Sequence, residues 1–414
     1  MTIIALILLT IIIYHHLGYP ILLKFFGHLK LKKINEIESN DLPSIHIVIP
    51  AYNEEDMIAQ KINSLSWLDY PDNKLSISIY CDGCTDDTLN RAIRSQGQFY
   101  NRDLDIRIVN IKKNIGKVAI INKAIVECDE EILAFSDVSS ILSSDTLRLT
   151  AKKMSNKKVA VVTGNYSLLS INRNASRESL GDSLGESIYW QYQNKIRSLE
   201  SNLGAVMGVT GGYFSIKKEC CGVLETDTIN DDFILPMRAV IQGGLSILDS
   251  NIRILETEAT PLEQDAQRRL RISQGNMQQV IRLKSLLFPG IKLDRAWASW
   301  MFFSGKFLRV SMPYLLISLL MISATLAIES ILFMLLFIAQ ISVYFTALIH
   351  QYYIRSKIVN RISNNKLVKL VSYLCQGHLM GLIGSASYLH NSFKQQVFGI
   401  AEKQYWHKII IKNK

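Results

Sequence analysis

The chain has 414 residues, of which 48% are hydrophobic and 20% charged. That balance excludes an intrinsically disordered chain, and only 22 glycines and 8 prolines exclude collagen-like or linker-rich designs. The 46 Lys and Arg exceed the 36 Asp and Glu by ten, which suits an anionic partner such as nucleic acid, a phosphorylated substrate or a membrane surface. Met1 to Leu23 carries no Lys, Arg, Asp or Glu, and Lys24, Lys30, Lys32 and Lys33 follow it. A bilayer core about 30 Å thick takes about 20 helical residues, so a transmembrane helix is expected over residues 1–26. The lysines place its downstream side in the cytoplasm. The basic start and small-residue cut site of a cleaved signal peptide are missing. His15 and His16 invite a proton-relay reading, against which stands the plainer one that they face protein partners or the membrane interface.

Residues 41–280 change pattern, with short apolar runs alternating with helix-like stretches. Ser44–Pro50, Leu75–Tyr80, Ile106–Ile111, Ile132–Phe135 and Val159–Thr163 read as strands. Glu55–Ser66, Asp86–Gln96, Gly116–Cys128 and Asp145–Met154 read as helices. This alternation predicts an α/β domain with a mainly parallel sheet flanked by helices, its ligand site beyond the C-terminal strand ends. Residues 281–309 are expected to be interfacial. A membrane region is expected over 310–390, with runs Val310–Ile328 and Ile331–Ile349, and a weaker run Leu370–Leu389 whose crossing stays open. Residues 391–414 form a basic tail. Six cysteines are too few for a disulfide scaffold. Cys81 and Cys84 have redox or zinc spacing but no second pair, and the bases are too scattered for a nucleic-acid binder.

Polar motifs stand at four successive strand ends: Pro50-Ala-Tyr-Asn-Glu-Glu55, Cys81-Asp-Gly-Cys-Thr-Asp-Asp-Thr88, Lys113-Asn-Ile-Gly-Lys117 and Phe135-Ser-Asp-Val-Ser-Ser140. Any one is weak, since Asp-Gly is usually only a turn. Gly208-Val-Thr-Gly-Gly-Tyr-Phe214, Thr228-Ile-Asn-Asp-Asp-Phe233 and the helical Glu186, Tyr189 and Trp190 follow. Taken in order, the series resembles the membrane-embedded family 2 glycosyltransferases, the branch of cellulose, hyaluronan and poly-N-acetylglucosamine synthases. The resemblance covers roughly residues 43–280 and implies a GT-A, Rossmann-like fold that binds a nucleotide sugar.

The resemblance implies a nucleoside pocket at Tyr52, Glu54 and Asp82 and a diphosphate contact at Lys117. It also implies a divalent cation, Mg²⁺ or Mn²⁺, held at Asp137, and a general base at Asp232 beside Asp231. The chemistry asks for these groups, because the acceptor hydroxyl must lose a proton while the leaving diphosphate is neutralised. Two departures stand out. The family's Asp-x-Asp metal motif has Ser139 in its third position. The Gln-x-x-Arg-Trp of processive members aligns with Arg268, Arg271 and Ile272, so the glutamine and tryptophan are missing. Arg268 and Arg271 then attend the diphosphate or face anionic lipid.

The expectation is therefore an inverting transferase using a UDP-sugar and extending a polysaccharide or glycan. A single-sugar transfer to a lipid-linked acceptor is the alternative within the enzyme class. A catalytically dead, nucleotide-binding scaffold of a synthase complex is the alternative outside it. Expected partners are the nucleotide-sugar donor, the acceptor, the lipid bilayer and export or synthase proteins.

Overall fold

The computed structural model describes residues 1–28, 41–96, 104–168, 177–256, 262–288, 296–355 and 365–398. The lysines at 30, 32 and 33, Lys357, Arg361 and the tail beyond 398 lie outside them, as do the side chains of Glu186 and Tyr189.

Eight strands form one sheet: β1 (Ile45–Ala51), β2 (Leu75–Asp82), β3 (Asp105–Ile111), β4 (Ile132–Phe135), β5 (Ser140–Leu142), β6 (Val159–Leu168), β7 (Phe214–Lys217) and β8 (Leu245–Glu256). Their spatial order is β3-β2-β1-β4-β7-β6-β8-β5. Strands β3, β2, β1 and β4 are mutually parallel. β7 then enters antiparallel between β4 and β6. Ile45, Ile47, Val48 and Ile49 are all fully buried, as a strand covered by helices on both faces requires. The register sets Ala51 of β1 opposite Cys81 of β2. The loops after these strands therefore leave from the same edge, which is where the site forms.

The helices, in chain order, are α1 (Thr2–Gly27), α2 (Ile58–Leu65), α3 (Thr88–Gln96), α4 (Lys117–Glu127), α5 (Thr146–Met154), α6 (Arg177–Asn202), α7 (Asp231–Ile241), α8 (Leu262–Arg282), α9 (Ala296–Leu326), α10 (Ile331–Arg355) and α11 (Lys366–Phe398). Among the described residues, four stretches are long and apolar enough to cross a membrane: Thr2–Gly27, Ala296–Leu326, Ile331–Tyr353 and Leu367–Lys394. The sequence reading begins the second of these at Val310. The helix instead runs on from Ala296, through Ser304 and Lys306, because those polar groups face protein. Ser304 Oγ lies 2.6 Å from Tyr14 Oη, which also accepts a hydrogen bond of 2.9 Å from Trp300 Nε1. These contacts join two π-turns, Tyr14–Gly18 in α1 and Phe303–Phe307 in α9. Ala5 on α1 packs with Leu319 and Leu326 on α9 and with Phe333 on α10.

Two further contacts tie the membrane helices to the α/β domain. Tyr19 on α1 donates 2.9 Å to Glu200 Oε1 on α6, and Glu200 Oε2 accepts the Met207 backbone N–H at 2.9 Å. Burial pushes the Glu200 carboxyl pKa up despite these partners. Helix α8 is wedged between α7 and α11. A Cβ on Gly275 would stand 2.4 Å from Asn230 Nδ2, and one on Gly384 of α11 would stand 2.5 Å from Ser273 Cβ.

Candidate active site

The first strand end carries Tyr52, Asn53 and Glu54, and the second carries Asp82. The Glu54 backbone N–H donates 2.7 Å to Thr88 Oγ1, and the Thr85 N–H donates 2.9 Å to Asn53 Oδ1. These bonds stitch the loops after β1 and β2 into one wall. Asp82 is buried, and its two oxygens accept the backbone N–H groups of Ile115 and Gly116, each at 2.8 Å. Asp82 thus shapes the turn that launches α4 and aims Lys117.

Gly83 sits at φ +63°, and a Cβ there would lie 2.3 Å from the Asn114 backbone nitrogen. Gly83→Ala is expected to destabilise the protein by about 1–3 kcal/mol, because a left-handed residue is also forced against backbone. A lower thermal midpoint checks this, and an unchanged midpoint would show that the loop yields.

Beyond this wall four charged side chains converge. Lys117 Nζ is 2.9 Å from Asp137 Oδ1 and 3.6 Å from Asp231 Oδ2. Asp137 follows β4, and its N–H donates 3.2 Å to the carbonyl of Gly211. Asp231 and Asp232 open α7, with Asn230 as its N-cap residue. Burial disfavours the Lys117 ammonium, but Asp137, Asp231 and Asp232 together hold its pKa above the usual lysine value. Asp232 behaves oppositely. Burial first, then the Asp231 and Asp137 charges, push its pKa up to about 6, while Lys117 and Arg197 pull it down. Such a carboxylate is ionised at neutral pH yet can accept a proton, as a general base must.

The donor set also suits a hard divalent cation. Asp137 is 39% exposed, Asp231 Oδ2 is buried with no hydrogen-bond partner, and every atom on offer is oxygen. His46, Cys128 and Glu130 also cluster, at the opposite end of the sheet from the site. Cys128 Sγ donates to Glu130 Oε2 at 2.7 Å, and His46 Nδ1 lies 2.6 Å from Ser76 Oγ. That cluster is satisfied by its own hydrogen bonds. All six cysteines are free thiols.

Arg268 and Arg271 lie on α8, seven and four residues before Gly275. The helical repeat sets them two turns and one turn along the face that meets Asn230. The side chain of Arg271 is exposed. Trp190 on α6 lies 4.4 Å, centroid to centroid, from Tyr166, and Arg197 lies 5.5 Å from the Trp190 ring centroid.

Sequence reasoning missed Lys61, Glu200 and Lys306. Lys61 is fully buried on α2, donating 2.7 Å to Ser136 Oγ and 2.6 Å to the Ser140 carbonyl. It thereby braces both sides of Asp137. Burial brings its pKa down to about 8, against the pull of Asp137 and Glu256. One signal was available, because Lys61 interrupts the apolar stripe of Ile58, Ile62 and Leu65. Glu200 and Lys306 had no local signal.

Residues 46–221 match the family model described as Glycosyl transferase family 2. An N-acetylglucosaminyltransferase of Rhizobium meliloti (strain 1021) is 26% identical over 176 residues, which is 42% of this chain and 39% of that protein. A poly-beta-1,6-N-acetyl-D-glucosamine synthase of Staphylococcus epidermidis is 23% identical over 217 residues, half of each chain. The chain thus spans about half or less of these curated relatives. Among solved structures, a mannosyltransferase of Pyrobaculum calidifontis, in complex with GDP-Man and Mn²⁺, superposes with a TM-score of 0.67 at 19% identity. That superposition covers 92% of this chain and 99% of the other, and establishes the likeness of fold. The family match stops before Asp231 and Asp232, so their grouping with Lys117 rests on the geometry above.

Proposed function

With residues 46–221 a GT-A-fold, family 2 glycosyltransferase domain, we propose that this chain transfers a sugar from a nucleoside diphosphate sugar to an acceptor at the membrane. The observation that carries the reading is the gathering of Asp137, Asp231 and Asp232 around the Lys117 ammonium, beyond the C-terminal strand ends.

In the proposed reaction Asp232 takes the acceptor hydroxyl proton and the freed oxygen attacks the sugar C1. The C1–O bond to the diphosphate breaks with its electron pair, giving inversion in one displacement. Lys117 meets the charge that grows on the leaving group, a role that gains strength where water is excluded. Lys61 holds the Asp137 loop rigid. Tyr52, Glu54 and Asp82 form the nucleoside wall, with uridine as the proposed base, and Arg268 and Arg271 stand toward the diphosphate. Asp137 and Asp231 would hold Mg²⁺ or Mn²⁺, which supplies positive charge to the diphosphate. The R. meliloti and S. epidermidis relatives make N-acetylglucosamine the first donor sugar to try. Lys30, Lys32 and Lys33, which follow the first span in the sequence, support a catalytic domain on the cytoplasmic side of a cell membrane.

A second reading, single transfer to a lipid-linked acceptor, is favoured by Ile272. It is 37% exposed where processive enzymes carry the tryptophan that packs on acceptor sugar. The deciding experiment is nucleotide release by the detergent-purified full chain, across UDP-sugars and GDP-mannose, with and without Mn²⁺. One donor is expected to give metal-dependent release with a lengthened acceptor. Tight nucleotide binding without turnover, across donors and acceptors, would favour the scaffold instead.

A further inference from the structure

Lys306 belongs to α9, within a stretch apolar enough to cross a membrane, and sits in the π-turn Phe303–Phe307. Ionisable residues in such segments are costly and generally face a partner or a pathway, and π-turns recur at functional sites. The Lys306 amine points at the α/β domain. Its Nζ is 4.6 Å from the ring centroid of Phe233, the residue after Asp232, and 3.7 Å from where a Cβ on Gly208 would stand.

Among the described residues, Lys306 makes no hydrogen bond and no ion pair. The nearby buried carboxylate is Glu200, but Tyr19 and the Met207 N–H already occupy its two oxygens. Arg197 and Arg309 add positive charge to the same corner, against Glu200 and Asp232. An amine without a carboxylate partner among the described residues, beside the proposed base and within a membrane helix, leaves a place for an anion that arrives with the acceptor and would hold the amine charged.

We propose that Lys306 binds a phosphate carried by a membrane-lipid acceptor, and so sets the acceptor hydroxyl beside Asp232. This rests on the preceding reading of Asp232 as the base. The phosphate is a handle and is unchanged by the reaction. The hydroxyl oxygen forms the bond to C1, its proton passes to Asp232, and the diphosphate leaves with the electron pair.

The test uses the full chain in phosphatidylcholine nanodiscs, without donor, and reads tryptophan fluorescence on titration with dodecyl phosphate, dodecanol or inorganic phosphate. Dodecyl phosphate is expected to bind at least tenfold more tightly than either of the others. Lys306→Met should lose at least tenfold of that affinity, Lys306→Arg should keep most of it, and both should bind the donor nucleotide as the parent does. Equal affinity for dodecanol would overturn the phosphate, equal affinity for inorganic phosphate would overturn the lipid, and unaltered binding in Lys306→Met would overturn the residue. Should the methionine variant fail to fold, Lys306→Gln takes its place, with the same loss expected and unaltered binding again overturning the residue. Failure of every sugar donor would count against the transferase reading and leave this binding result standing.

Discussion

Replacing Asp232 with asparagine is expected to lower kcat by about 10²–10⁴ while leaving nucleotide affinity within about threefold, because the amide cannot take the acceptor proton. The pH profile supplies an independent check. A base must be unprotonated, so activity should rise with pH through about 6, where Asp232 titrates, and fall away below it. Stability should move the other way. A folded pKa raised from 3.8 means that ionised Asp232 opposes folding at neutral pH. That cost is absent below the unfolded pKa and is fully present once pH exceeds the folded one. Asp232→Asn should therefore melt no lower than the parent at pH 7. Normal turnover in this variant would remove Asp232 from the chemistry, and a much lower melting point would make the loss structural.

Lys117→Met is expected to be nearly as damaging, with about 10²–10³ lost from kcat/KM, since the cation that meets the leaving group is gone. The same change leaves Asp137, Asp231 and Asp232 facing one another. Lys117 lowers the Asp232 pKa, so its removal should carry the acidic limb of the pH profile above 6. A limb that stays in place would mean that the lysine does not sense the base. Kinetics at several pH values, with circular dichroism to establish folding, separate the two effects.

The first half of the sheet was legible because β1, β2 and β4 are apolar runs ending in polar turns. The same logic exposed Lys117 and Asp137, each of which stands just past a strand. β7 was not legible: Phe214–Lys217 is four residues long, and its place between β4 and β6 depends on partners far away in the chain. β8 has Asp249, Ser250 and Asn251 among its apolar residues, which breaks the run that would have marked it as a strand. Asp231 and Asp232 could be named from their motif, but a helix start rich in acids looks the same in sequence. What raises the Asp232 pKa is burial with two other carboxylates, which only the fold supplies. Lys306 was missed for a related reason, since an isolated lysine is solvated in most sequences, whereas Lys61 could have been noticed from the apolar stripe it interrupts. The hydropathy dip at Lys306 and Arg309 likewise moved the expected start of the span to Val310.

The two glycines on either side of α8 bear on how the protein can be handled. With Gly275 against the Asn230 side chain and Gly384 against that of Ser273, neither position has room for a side chain of its own. Helix α8 therefore packs directly between α11 and Asn230, the cap of the helix that opens with Asp231 and Asp232. A soluble fragment cut at residue 280 would retain each residue of the strand-end cluster and lose the surface against which α8 is braced. Such a fragment is a poor surrogate for screening inhibitors. Lipids or detergents that alter the tilt of α11 are therefore expected to change turnover at the proposed centre through these two contacts.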